Sequence, residues 1–180
     1  MLTAILPIVL LSGCDIRLMG TGISSTDMRV LEAIVKPACD FDWIEIVSDL
    51  PATPLHAGSP GEHRPNQQFG LDVAGRSQPK ARWPRGNLCS PVRVVSNAAI
   101  ESALKRETSI PPTWDRFREQ FPGTRTLVRV SLPVYSKDER RAVVYTESTC
   151  PFRCGNGFFH ELVRDGSRWR IVQSVNAWAL

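Results

Sequence analysis

Thr126-Leu-Val-Arg-Val-Ser-Leu-Pro-Val-Tyr135, Arg141-Ala-Val-Val-Tyr-Thr-Glu-Ser-Thr149, Phe158-Phe-His-Glu-Leu-Val-Arg164 and Trp169-Arg-Ile-Val-Gln-Ser-Val175 decide the reading of the fold. Each stretch is rich in β-branched and aromatic residues and alternates apolar with polar positions, the pattern of a strand with one face buried. The connections are short. Lys137-Asp-Glu-Arg140 is a polar turn, Cys150 to Gly157 is a constrained turn, and Asp165-Gly166 is a hairpin turn. Successive strands with short turns pair as neighbours, so the expectation is an antiparallel four-stranded meander. Its alternation nominates Val128, Val130, Val144, Leu162, Val163, Trp169 and Ile171 for the core.

Upstream lie the helices that would cover one face of that sheet, giving an α+β fold with two or three short helices. Pro111-Pro112 opens a helix with Trp114, Phe117 and Phe121 on one side, and Pro122-Gly123 stops it. Asn97 is placed to cap another helix running to Arg106, with Ile100 and Leu104 facing inward. Ser24, Ser25, Thr26 and Asp27 offer caps for a first helix carrying Met28, Leu31, Ile34 and Val35 on one face, and Pro37 ends it. Phe41 to Ser48 and Val92 to Val95 read as strands. Between them, residues 49–88 hold six prolines with interspersed glycines (Pro51, Pro54, Pro60, Pro65, Pro79 and Pro84), the composition of a long irregular loop. Gln67 to Ala74 could form one short strand inside it. His56 and His63 sit in the same loop, where no helix or strand fixes them as a metal pair.

The chain has 180 residues, enough for one domain with a hydrophobic core, expected over 25–180. Its net charge is +4. The positive charge is mostly arginine, spread along the chain rather than gathered into a basic stripe with stacking aromatics, so no nucleic-acid partner is expected.

The N-terminus carries an address. Leu2 to Leu11 is almost wholly apolar, too short to span a bilayer as a helix, which needs roughly 20 residues. It has the length of a signal-peptide core and runs into Leu11-Ser12-Gly13-Cys14. That tetrapeptide resembles the lipobox of bacterial lipoproteins. The resemblance implies a signal peptide over 1–13, cleavage before Cys14, lipidation of Cys14 with palmitate-type acyl chains, and a tether over 14–24. Several acyl chains give a lasting membrane anchor where one is marginal. The expected location is the cell envelope, on the periplasmic side of the inner or outer membrane. Asp15 resembles an inner-membrane retention signal. No Lys or Arg precedes Cys14, which departs from the usual positive start of such peptides.

Setting Cys14 aside leaves Cys39, Cys89, Cys150 and Cys154. In an exported chain an even remainder reads as a disulfide framework, with three connectivities open. Cys39–Cys89 with Cys150–Cys154 is favoured, because a tight turn over Pro151-Phe152-Arg153 brings the second pair to bonding distance. A zinc site on Cys150, Cys154 and His160 is the alternative.

The region from Ser96 to Trp178 resembles small bacterial envelope proteins of unassigned function. The shared features are Trp114-Asp-Arg-Phe117, Pro122-Gly123, Cys154-Gly-Asn-Gly157 and Asp165-Gly-Ser-Arg-Trp169. The strand pattern is also similar to nuclear-transport-factor-like and cystatin-like folds, which host enzymes and binding modules alike. The glycines of Cys154-Gly-Asn-Gly157 are expected to serve positive φ in a stapled turn.

Catalytic signals are sparse. There is no Gly-x-Ser-x-Gly elbow, phosphate loop or dinucleotide fingerprint, so no cofactor is implied. His160 and Glu161 are sequence neighbours and point to opposite faces of a strand. Phe152 and Arg153, at the tip of the stapled turn, form an aromatic and arginine pair of the kind that anchors interfaces. The expected function is an envelope binding or interaction module with an envelope protein as a possible partner. A small enzyme or metal handler built on Cys150, Cys154 and His160 is the alternative.

Overall fold

The computed structural model describes residues 22–52, 81–104, 114–151 and 154–179. Cys14, His56, His63, the segment 67–74, Phe152 and Arg153 lie outside these described residues. In chain order the elements are α1 (Ser25–Val35), a 3-10 turn (Lys36–Asp40), β1 (Ile44–Ser48), β2 (Gly86–Cys89), β3 (Val92–Val95), α2 (Asn97–Leu104) and α3 (Trp114–Gln120). Then follow β4 (Thr124–Val130), β5 (Val134–Tyr135), β6 (Arg141–Cys150), β7 (Cys154–Asp165) and β8 (Arg168–Ala179).

These strands make one 8-stranded mixed sheet in the order β2-β3-β1-β4-β6-β7-β8, with β5 pairing β6. β1 runs parallel to both of its neighbours, β3 and β4. The expected antiparallel four-stranded meander is therefore wrong as the fold. The run β4-β6-β7-β8 pairs antiparallel, but it continues into a parallel group that hairpin logic cannot foresee. Parallel partners need crossover connections and lie far apart in sequence. The trace they leave is burial on both faces: Glu45, Ile46, Val47 and Ser48 are all buried.

The helices cover both faces of the sheet, not one. α1 lays Val30, Leu31 and Val35 against Val47, Val92, Val94, Val128, Val130, Val144, Leu162 and Trp169. On the opposite face, Ile100 and Ala103 of α2 and Phe117 of α3 pack on Ile46 and Leu127. Ile46 and Val47 are adjacent in β1 and serve the two layers separately, as the alternation of a strand requires. A further cluster on that second side joins Val143, Tyr145 and Phe159 to Ala52.

Local chemistry sets the boundaries. Ser24 caps α1 by accepting from the Asp27 N–H (3.0 Å), and Asp27 returns the bond to the Ser24 N–H (2.9 Å). Asp27 is fully buried and also accepts from the Tyr135 hydroxyl at 2.8 Å, so the cap is fastened to β5. Val30 takes a core position, whereas Met28 and Ile34 pack at its margin. Ser96, not Asn97, caps α2 by accepting from the Ala99 N–H at 3.1 Å. The stretch from Thr126 to Tyr135 is two strands. After Val130 the chain leaves β4, and the Ser131 hydroxyl accepts from the Tyr145 N–H at 2.9 Å. Pro133, which has no N–H for a ladder, precedes β5.

The Pro-rich segment ends in the core. Trp83 is 1% exposed and donates its indole N–H to the Val130 carbonyl at 2.9 Å. β2 begins at Gly86, within the stretch expected to be irregular. Cys39 and Cys89 are disulfide-bonded, with Cα atoms 5.8 Å apart, joining the 3-10 turn to β2. Cys150 and Cys154 are bonded across the β6–β7 hairpin, Cα atoms 5.2 Å apart. The expected long turn from Cys150 to Gly157 is short, because β6 reaches Cys150 and β7 starts at Cys154.

Candidate functional site

The structure separates the residues of the Cys150, Cys154 and His160 constellation. Cys150 and Cys154 stand opposite each other at one end of the β6–β7 ladder, while His160 stands opposite Val144. His160 lies six steps along β7 from Cys154, roughly 20 Å at the rise of a β-strand. Among the described residues no group of three or more His, Cys, Asp or Glu side chains is placed to hold a metal ion.

His160 is instead a rung across three strands. Its Nε2 bonds the Thr146 hydroxyl at 2.9 Å and its Nδ1 bonds the Ser174 hydroxyl at 2.8 Å. The Phe158 ring stacks beside it, centroids 6.0 Å apart. Burial lowers its pKa from 6.5 to about 4, so at neutral pH the ring is uncharged, with one nitrogen donating and the other accepting. A base this weak, with a hydroxyl on each nitrogen and no carboxylate to orient it, is poorly suited to proton abstraction. Glu161, one residue on, pairs opposite Val143 and Gln173 and accepts from Arg141 at 2.6 Å.

The glycines after Cys154 have a different role from the one expected. Neither Gly155 nor Gly157 is among the residues with positive φ. Both lie in β7 beneath the Trp178 ring. A Cβ on Gly157 would stand 2.7 Å from Trp178 Cδ1, and one on Gly155 would meet the same ring at 3.3 Å. The seat lets the Trp178 indole N–H donate to the Tyr145 hydroxyl at 2.7 Å. The Cys-Gly-x-Gly motif is thus a place for a tryptophan to lie flat on a sheet.

Ligands of open sheets with parallel strands commonly bind beyond the strands' carboxyl ends. Here that end of β1 is occupied by its own chain. Asp49 is buried and accepts from Arg85 at 2.9 Å and from the Asn97 N–H at 2.7 Å. The Ser48 hydroxyl donates to Asn97 Oδ1 at 3.2 Å. This network anchors α2 and fastens Arg85 to the end of β1.

The opposite end of β1 is different. A pocket of about 400 Å³ opens there, lined by Trp43, Arg118, Thr124, Arg125, Thr126, Cys150 and Pro151. The pairing of β1 with β4 shifts at this point: Ile44 faces Thr124 and Glu45 faces Thr126, leaving Arg125 as an extra residue. Such a bulge turns a side chain out of its regular direction. The Arg125 guanidinium lies over the Trp43 ring, 5.1 Å from its centroid. Trp43 also stacks on Phe41, centroids 4.2 Å apart. On the far wall, Cys150 is fixed by its disulfide. Two lining residues carry buried polar atoms without a hydrogen-bond partner, Trp43 Nε1 and Thr124 Oγ1. Unpaired buried groups of this kind are uncommon in folded proteins. Arg118 shares its charge with Asp115 at 2.7 Å, an exposed pair. Phe152 and Arg153 follow Pro151 directly but lie outside the described residues.

Of these lining residues, sequence reasoning singled out only Cys150 as functional. The one local signal for the rest is the aromatic pair Phe41 and Trp43 before a short apolar strand. In comparison with known proteins, the chain matches no family model, no curated protein and no solved structure.

Proposed function

We propose that this chain is an exported lipoprotein, anchored through Cys14 on the periplasmic side of an envelope membrane, and that it works as a binding module through the pocket at the Trp43 end of β1. The observation that carries the binding reading is the pocket itself, with the Arg125 guanidinium seated over the Trp43 face and in no ion pair with a described residue. At the other end of β1 the Asp49 carboxylate and Ser48 hydroxyl are bonded within the protein, as are both ring nitrogens of His160. A concave, largely apolar site with a few convergent polar groups is the usual form of a ligand pocket. Export is supported by the two disulfides, which persist in oxidising compartments. A thiol or metal chemistry on Cys150, Cys154 and His160 has no such support, because the cysteines are bonded and the histidine lies far along the strand.

Two measurements test this. Cys14→Ser should release the protein from the membrane fraction and remove its acyl mass; a variant still membrane-bound and unchanged in modification would sink the anchor. For binding, Thr126→Trp fills the pocket with a bulky ring. The wild-type chain purified from envelopes should carry a small molecule, identified by mass spectrometry after denaturation, that the filled variant lacks. Identical extracts from two folded proteins would remove the pocket from the proposal.

A further inference from the structure

We infer that the pocket at the Trp43 end of β1 selects a small oxyanion, a carboxylate or phosphate head carried on an apolar or aromatic body. This rests on the pocket being a binding site and adds the class of ligand.

Charge comes first. Among the described residues the lining includes two arginines, Arg118 and Arg125, and no Asp or Glu. Among the described residues Arg125 makes no ion pair, and its guanidinium lies over the face of Trp43. A guanidinium on an aromatic face is held in place while its planar fork of donors stays available, and that fork matches carboxylate and phosphate oxygens. The bulge is what directs Arg125 here, and bulges recur beside binding sites. Arg118 adds a second positive charge, and its exposed partner Asp115 is not part of the wall.

The body of the ligand follows from the remaining walls. Trp43, Cys150 and Pro151 offer an aromatic face, a disulfide and a proline ring, surfaces that favour apolar or aromatic groups. The Trp43 indole N–H and the Thr124 hydroxyl are buried behind this surface, so the ligand meets the ring face rather than the indole N–H. The volume of about 400 Å³ falls within the range of small-molecule sites, roughly 300–1,000 Å³. One carboxyl stands close in register: Glu45, opposite Thr126. Burial without a charge partner favours its neutral form, so it does not repel an anion in mildly acidic solution.

The test is isothermal titration of the full chain carrying Cys14→Ser at pH 6 with benzoate, phenyl phosphate, benzamide, benzylamine and inorganic phosphate. Benzoate or phenyl phosphate should bind at least tenfold more tightly than benzamide, and benzylamine should not bind. The tighter of the two anions identifies the head group, and inorganic phosphate alone should be weak because it lacks the body. Arg125→Gln should weaken the anion at least tenfold, whereas Arg93→Gln, which removes an equal charge on β3, should leave it unchanged. Equal affinity for benzoate and benzamide, or no loss in Arg125→Gln, overturns the oxyanion class. If binding is still abolished by Thr126→Trp in that event, the pocket itself stands. Anion binding untouched by Thr126→Trp places the site elsewhere and overturns both. A chain that binds none of the probes overturns the inference.

Discussion

The half of the sheet built on parallel pairs, β3-β1-β4 with β2 added antiparallel to β3 (the parallel half), and the antiparallel half, β6-β7-β8, are held together in different ways. The parallel half joins three pieces far apart in the chain: β1, the β2–β3 hairpin and β4. It needs helices on both faces, a buried tryptophan from the end of the Pro-rich segment, and a disulfide spanning 50 positions. The antiparallel half is built from hairpins, each strand pairing with the next, and its disulfide spans 4 positions. One half is limited by the entropy of bringing distant pieces together, the other by the quality of cross-strand contacts.

That difference can be broken first at the disulfides. On the chain-entropy model, a cross-link spanning 50 positions stabilises by about 4 kcal/mol and one spanning 4 by about 2 kcal/mol. Cys39→Ser with Cys89→Ser should therefore lower stability about twice as much as Cys150→Ser with Cys154→Ser, as read from urea unfolding. Equal losses would mean that loop length does not govern the contrast.

A second test uses pH. Glu45 lies in the parallel half with its pKa raised from 4.5 to about 7 by burial, and His160 lies in the antiparallel half with its pKa lowered from 6.5 to about 4 by burial. The signs oppose. Folded Glu45 holds its proton where the unfolded chain releases it, so stability falls as pH rises from about 4.5 to 7 and is flat above. Folded His160 refuses a proton the unfolded chain accepts, so stability falls as pH drops from about 6.5 to 4. Each is worth about 3 kcal/mol over its window, and between pH 5 and 6 the two nearly cancel. Glu45→Gln should leave stability rising with pH to about 6.5 and raise it by about 3 kcal/mol at neutral pH. A variant with the wild-type pH profile would remove Glu45 as the source.

The smallest effect concerns the tryptophan seat. Gly157→Ala should cost about 2 kcal/mol through overpacking against Trp178. Adding Trp178→Leu to that variant should cost less than Trp178→Leu costs the wild type, since the leucine leaves room for the new methyl group. Additive losses would show that the ring is not what constrains Gly157.

Legibility in the sequence divides along the same line. The Cys150–Cys154 pair could be read from its short spacing, and Cys39–Cys89 is what an even count then leaves. The last hairpin was visible too, one residue out of place: Asp165 pairs with Arg168, and the turn is Gly166-Ser167, where Gly166 has a positive φ. The parallel pairing was hidden, because β1 finds its partners across crossovers and leaves only a run of buried residues in the sequence. Trp83 was hidden for a related reason: prolines around it signal irregular backbone but say nothing about burial. The glycines of Cys-Gly-x-Gly were read as turn residues, because the ring that needs them sits on β8, near the end of the chain. The pocket was least visible of all. It depends on a one-residue bulge at Arg125, which no periodicity of a single strand reveals.

β8 is the last strand of the sheet order and offers one side of its backbone to no other strand among the described residues. A twelve-residue strand in that position would ordinarily invite another chain to dock alongside and propagate an aggregate. Here its pairing with β7 slips twice. Glu161 faces Gln173 but Leu162 faces Ile171, and Gly157 faces Trp178 but Phe158 faces Asn176. The residues left over, Val172 and Ala177, interrupt the even spacing of free N–H and C=O groups and add local twist. The same irregularities that bend the sheet thus deny a stranger's strand a regular template, which suits a protein proposed to sit crowded on a membrane surface.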